Sequence, residues 1–192
     1  MIKTQTLFIL GAGASAPFGY PTSVGLRNSI LSRGNDPTIL QALNYMNDDP
    51  KPFEKEFNRF LDEFARSSVY SIDSFLEYRT EFMEVGKINI AAFLINHEED
   101  RNLRLATDKN WYMYLYDRLK VSFDEFDKNN ISFITFNYDR SLEQFLFEAV
   151  LCRFGKSPKE CAEKLKSIPI VHLYGQLDPL VNGSSLLLTV AL

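Results

Sequence analysis

Apolar positions along the chain change their period twice, from short sheet-like runs to helical spacing and back. Thr6 to Leu10 is a brief apolar run closed by Gly11, the pattern of a buried strand in a parallel sheet. From Thr22 to about Ser32 a helix is predicted, capped by Thr22 or Ser23 after Pro21. The long middle, about 37–128, is helical in pattern. Phe53, Phe57, Phe60, Leu61 and Phe64 share one face; Ile72, Phe75 and Leu76, with Phe82 and Met83 beyond, follow Ser71 as a cap; Trp111, Leu115 and Leu119 form a third face. Within this block His97 to Arg104 reads as a polar, solvated connection.

Sheet character returns at Ile131 to Phe136. A helix from Ser141 to about Cys152 follows, turning Leu142, Phe145, Leu146 and Ala149 inward, and Ile170 to Tyr174 reads as a third strand after Pro169. Strand, helices, strand, helix, strand is the order of an α/β fold: an open, mainly parallel sheet with right-handed crossovers and a helical insertion between the first and second strands. No repeat, low-complexity tract or linker divides the chain, so a single domain over 1–192 is expected.

Composition narrows the classes. The 192 residues are 45% hydrophobic and 24% charged, as in a soluble globular protein, and a net charge of -4 argues against a general nucleic-acid surface. Sixteen Phe and nine Tyr predict a core filled by large rings. Cys152 and Cys161 lack the paired spacing of a zinc module and read as reduced thiols of a cytoplasmic protein; with two histidines in all, no metal site is expected. Lys3, the run Leu7 to Leu10 and Ala14-Ser15-Ala16 imitate a signal peptide, but the apolar run falls short of the about seven residues such a core needs. Leu186 to Leu192 is likewise far short of the roughly twenty residues that span a bilayer, so no membrane association is expected.

Candidate chemistry gathers at the ends of the three strands. Gly11-Ala12-Gly13-Ala14-Ser15-Ala16 is a GxGxxA pattern, where backbone can approach a diphosphate and a helix start can offer N–H groups; a plain tight turn is the alternative. The dehydrogenase version wants an acidic residue ending a second strand, and Asp36 lies instead in a loop-like stretch. Asn137 and Asp139 follow the second strand, placed to hydrogen-bond a sugar or an amide; Asp139 is equally suited to cap the next helix. His172 and Tyr174 share a strand face, with His172 a candidate base or a core histidine satisfied by backbone.

As an ordered set these stretches resemble the sirtuin superfamily, and more closely its bacterial sirtuin-like branch of NAD-cleaving proteins. Gly11 to Ser15 resembles the GAG-x-S loop, Gly19-Tyr20-Pro21 the G-x-P turn, Thr135 to Asp139 the T-x-N-x-D motif and His172 to Gly175 the histidine-glycine motif. Ser71 to Glu77 is similar to a helix start common in the bacterial branch. The resemblance implies a Rossmann-like fold that binds NAD as substrate or ligand. Gly11, Ala12, Gly13 and Ser15 would hold the phosphates, with Pro21 and Tyr174 as further cofactor contacts. Catalysis would fall to Asn137, ordering a water or the nicotinamide ribose, to Asp139, meeting the carboxamide, and to His172. The reaction implied is hydrolysis to nicotinamide and ADP-ribose, in bacteria often an anti-phage defence through NAD depletion. The alternative is a catalytically weak module that senses NAD or ADP-ribose, or an assembly domain, with a homo-oligomer or a partner protein completing the site.

Three departures bear on this. Tyr174 stands where the family carries its catalytic histidine, and a tyrosine of ordinary pKa near 10 is a poor base at neutral pH. The four-cysteine zinc module of the protein deacylases is missing, which argues against deacylation. Sirtuin-like sheets continue beyond the histidine motif, so the chain is expected to be a piece of a longer fold or a reduced version whose Leu186 to Leu192 adds a strand.

Overall fold

The computed structural model describes residues 1–32, 50–95, 97–98, 100–104 and 108–177. Asp36, the beginning of the helical block at 37 and the segment Leu186 to Leu192 lie outside the described residues. The chain forms two compact units, one of Met1–Tyr20 with Glu98–Leu192 and one of Pro21–His97.

The first unit carries the sheet. Strands β1 (Thr6–Leu10), β2 (Ile131–Thr135) and β3 (Ile170–His172) pair in parallel in the order β1-β2-β3. Thr6 to Leu10 of β1 runs level with Ile131 to Thr135, and Phe133 to Thr135 level with Ile170 to His172. This register brings the ends of all three strands, and the loops that follow them, to one edge. The protein is therefore an α/β fold with an open parallel sheet, as the alternation of elements predicts.

Side chains alternate across a strand, and the two faces of this sheet differ. Phe8 stacks on Phe133 with ring centres 5.1 Å apart, and Ile131, Phe133 and Thr135 are buried. On the opposite face Leu7, Ile9 and Val171 are 51%, 67% and 50% exposed. The expectation of a fully buried β1 is corrected here. A run of four apolar residues looks the same whether one face or both are covered. β3 is also shorter than its sequence suggests, ending at His172, with Leu173 and Tyr174 in bends beyond it.

The second unit is helical, built from α1 (Ser23–Ser32), α2 (Pro50–Arg66), α3 (Ile72–Leu76) and α4 (Met83–Ile95). Thr22 is the residue that caps α1, its hydroxyl accepting from the Gly25 amide at 3.3 Å. Ser71 caps α3 through the Ser74 amide at 3.1 Å, as its position predicts. Phe60, Phe64, Phe75 and Phe82 form a continuous ring cluster, with centroid separations from 5.0 Å between Phe64 and Phe75 to 5.9 Å between Phe75 and Phe82. Each is almost wholly buried, and one such side chain contributes about 1.5–3 kcal/mol.

In the sheet unit, α5 (Asp100–Leu103) occupies the stretch expected to be a solvated connection. That expectation is corrected by packing and charge: Leu103 is buried, and Glu98 takes the Arg140 guanidinium in a two-pronged pair at 3.1 and 2.7 Å. Helices α6 (Trp111–Arg118), α7 (Ser141–Phe154) and α8 (Pro158–Leu165) are the further α-helices described in this unit. No helix among the described residues is long and apolar enough to cross a membrane.

Gly86, inside α4, shows how closely the helical unit is packed. A Cβ there would stand 2.5 and 2.8 Å from the two methyl carbons of buried Leu76. Gly86→Ala gains about 1 kcal/mol of helix propensity but overpacks the core at a cost of about 1–3 kcal/mol. The expected outcome is a net loss on the order of 1 kcal/mol, read as a lower urea midpoint with unchanged slope.

Candidate functional site

The loop after β1 is made of two short turns. Gly11 is extended, Ala12–Ala14 forms one turn of 3-10 helix closed by Ala14 N–H on the Gly11 carbonyl at 2.8 Å, and Ala16–Phe18 forms a second. The helix start at the glycines is thus a short 3-10 turn, and the first α-helix begins at Ser23. Pro17 lacks an N–H, and Gly19, at φ 92, ends the second turn in a left-handed conformation.

Gly11 and Gly13 stand apart from the other described glycines. Neither has a positive φ, and a Cβ built on either would meet nothing within 4 Å. At Gly19 the same test finds the Asn102 amide nitrogen at 3.1 Å. Among the described residues, packing and backbone thus give no reason for glycine at 11 or 13. A bare backbone there keeps approach from outside unobstructed.

Beneath the turns the loop is fastened by buried polar groups. Ser15 is 1% exposed. Its hydroxyl accepts from the Asn137 side-chain amide at 3.1 Å and hydrogen-bonds the Asp139 carboxylate. From α6, the Trp111 indole N–H donates to the Ala14 carbonyl at 2.7 Å, and Tyr112 stacks on Phe18 with centroids 4.1 Å apart. Tyr112 donates its phenol proton to Ser141 Oγ at 2.6 Å, and the Ser141 hydroxyl and backbone N–H both donate to Asp139 Oδ1. Asp139 therefore ties the first residue of α7 to the loop after β1. Burial pushes its carboxyl above the ordinary range, against the lowering effect of the serine hydrogen bonds. Burial, with the charge of Asp139, likewise raises the Tyr112 phenol well above its usual value.

Asn137 is held at three points. Its backbone N–H donates to Thr135 Oγ1 at 3.0 Å, its carbonyl accepts from His172 Nδ1 at 2.7 Å, and its side-chain nitrogen reaches Ser15. Its Oδ1 is buried and accepts from no group among the described residues. A buried acceptor in that condition calls for a donor such as a water or a hydroxyl.

Sequence reasoning put His172 and Tyr174 on one face, but the strand ends between them and they part. The His172 side chain is 4% exposed and its Nε2 lies 2.7 Å from Glu143 Oε1, at the start of α7. Tyr174 is 44% exposed and packs against Phe136 at 5.6 Å. Ser15, Asn137, Asp139 and His172 are thus brought together with the glycine loop. Pro21 belongs to the helical unit, immediately before the Thr22 cap. The sequence points to neither Glu143 nor Tyr112, and it places Trp111 on an apolar helix face with no role at the site. Among the described residues no group of three or more His, Cys, Asp or Glu is arranged to hold a metal.

The raised Asp139 carboxyl has a consequence for stability. Its folded pKa lies above the unfolded value of about 3.9, so the folded chain binds the extra proton and stability falls as pH rises from that value through the folded one. Asp139→Asn, which keeps an acceptor for Ser141 without the charge, should gain on the wild type in urea unfolding as pH rises above about 4. Asp139→Ala strands the serine donors and should lose about 1–3 kcal/mol at every pH.

Compared with family models, with curated proteins and with solved structures, the chain finds no significant match in any of the three.

Proposed function

We propose that the sheet unit binds NAD on the loop Gly11 to Ser15 and hydrolyses it to nicotinamide and ADP-ribose. The observation that carries the reading is the pair Gly11 and Gly13, bare without internal cause, beside an asparagine with a buried, unanswered acceptor. A diphosphate needs close access to backbone N–H groups, and a Cβ at either glycine would stand in its path. The ordered likeness of the three strand-end motifs to the bacterial sirtuin-like proteins supports the same ligand.

In this reading Gly11, Ala12, Gly13 and the Ser15 region receive the phosphates. Asn137 Oδ1 accepts from a water or a ribose hydroxyl, fixing it relative to the anomeric carbon. The N-glycosidic bond breaks with its electron pair passing to the nicotinamide nitrogen, the water oxygen bonds to the sugar carbon, and one proton is released to solvent. Rate enhancement comes from placing the water and excluding competing geometries. Asp139, buried and committed to Ser15 and Ser141, contributes by holding the loop.

A second reading, a nucleotide-sensing module without turnover, is favoured by one observation. Both His172 ring nitrogens are engaged by protein groups, and Tyr174 fills the position of the family's histidine. No free imidazole nitrogen then faces a substrate. Activity in anti-phage defence, a partner that completes the site and a cytoplasmic setting belong to the same proposal, on the strength of the resemblance.

Calorimetry with NAD and ADP-ribose, and release of nicotinamide followed by chromatography, test these readings on the full chain. Gly13→Ala should weaken nucleotide binding by about tenfold or more, equivalent to about 1.4 kcal/mol, with stability within about 0.5 kcal/mol of the wild type. Asn137→Ala should lower turnover by about a hundredfold. Binding without turnover selects the sensing module; wild-type affinity in Gly13→Ala overturns the phosphate-loop assignment.

A further inference from the structure

We infer that Glu143 is a positioning residue for the nucleotide site: through His172 it fixes the main chain of Asn137, and so the side chain that meets Ser15. The inference rests on the nucleotide-binding reading for its functional meaning, but its physical content stands on the hydrogen bonds alone.

A backbone carbonyl carries no proton, so the 2.7 Å contact between Asn137 O and His172 Nδ1 requires that Nδ1 donate. On the other side of the ring, Nε2 lies 2.7 Å from a Glu143 carboxylate oxygen, which is an acceptor. A neutral imidazole donates from one nitrogen only. Both contacts are satisfied together by the imidazolium with Glu143 ionised, two charge-assisted bonds on a ring whose side chain is 4% exposed. Three elements meet on this ring: β3 supplies His172, the loop after β2 supplies Asn137, and the first turn of α7 supplies Glu143.

Loss of the second proton breaks the arrangement either way. With the proton kept on Nδ1, the Nε2 lone pair faces the Glu143 carboxylate. With it on Nε2, the Asn137 carbonyl loses its donor and the loop loses one of its three fixings. Two carboxylates act on the ring, and a phenol joins them at one remove. Glu143 on α7 touches it, Asp139 in the loop after β2 adds its charge, and Tyr112 on α6 is linked to Asp139 through Ser141. Arg140 is turned to Glu98. Burial alone would pull the imidazole down, but Glu143, the Asn137 carbonyl and Asp139 outweigh it and raise it above the ordinary histidine value. The contribution of this ring to order is therefore fully present below about pH 6.5 and is lost as pH rises through the raised folded value.

The chain has two histidines, so nitrogen-15 labelling of histidine, with His97→Gln to assign the signals, reads His172 directly by NMR. In the wild type both ring nitrogens of His172 should remain protonated at about pH 7, and in Glu143→Gln the titration should move down by about one unit or more. The Asn137 side-chain amide signal, identified by its loss in Asn137→Ala, should shift or broaden in Glu143→Gln without any ligand. ADP-ribose affinity in Glu143→Gln should fall about tenfold between about pH 6 and pH 8, with a smaller fall in the wild type. An unprotonated ring nitrogen on wild-type His172 at neutral pH, or an unchanged titration and Asn137 signal in Glu143→Gln, overturns the inference. If Glu143→Gln does not fold, the wild-type ring spectrum decides alone. Absence of ADP-ribose binding in the wild type overturns the nucleotide reading and leaves the ring spectrum to judge the link between Glu143 and Asn137.

Discussion

The Ser15 hydroxyl, almost wholly buried between the Asn137 amide and the Asp139 carboxylate, is the interaction on which the strand-end region depends. One short side chain joins the loop after β1 to the loop after β2. Such a group is costly to bury unless every partner is present. Here the partners form a connected set running from Tyr112 through Ser141 and Asp139 to Ser15 and Asn137, and thence to His172 and Glu143. A network of this kind gives a loop built mainly of small residues a single conformation, which side-chain packing alone could not impose on glycine and alanine.

The glycines divide by physical cause. Gly86 is required by the Leu76 methyl groups and Gly19 by its left-handed backbone, so both serve folding. Gly11 and Gly13 answer to neither. Separating the two classes requires coordinates, because all four look alike as letters in a sequence.

Much of the fold was legible. The short apolar runs at Thr6–Leu10 and Ile131–Thr135 and the Ser71 cap are local signals, and local forces settle them. Helix α8 also carries a local signal, Ser157-Pro158-Lys159-Glu160, a reciprocal cap with proline in its first turn. The site was legible only in part. Asn137, Asp139 and His172 are readable by their place at strand ends. Glu143 and Tyr112 carry no signal of their own in the sequence and Trp111 reads as part of an apolar face, because the contacts that give them meaning span 29 residues or more of chain. The parting of His172 and Tyr174 was hidden for another reason: where a strand ends depends on its neighbour, and β2 offers β3 pairing only as far as Thr135.

The wetted face of the sheet alters how the protein responds to temperature. Leu7, Ile9 and Val171 are already half in water or more in the folded state, so unfolding hydrates less new hydrocarbon there than in a sheet covered on both sides. The heat-capacity increment follows newly exposed apolar area, and in this part of the molecule it falls below the usual average of about 12–15 cal/mol/K per residue. The sheet's contribution to the stability curve is correspondingly flatter. It gains less on warming from the cold and depends more on its interstrand hydrogen bonds and on the packing around Phe8 and Phe133.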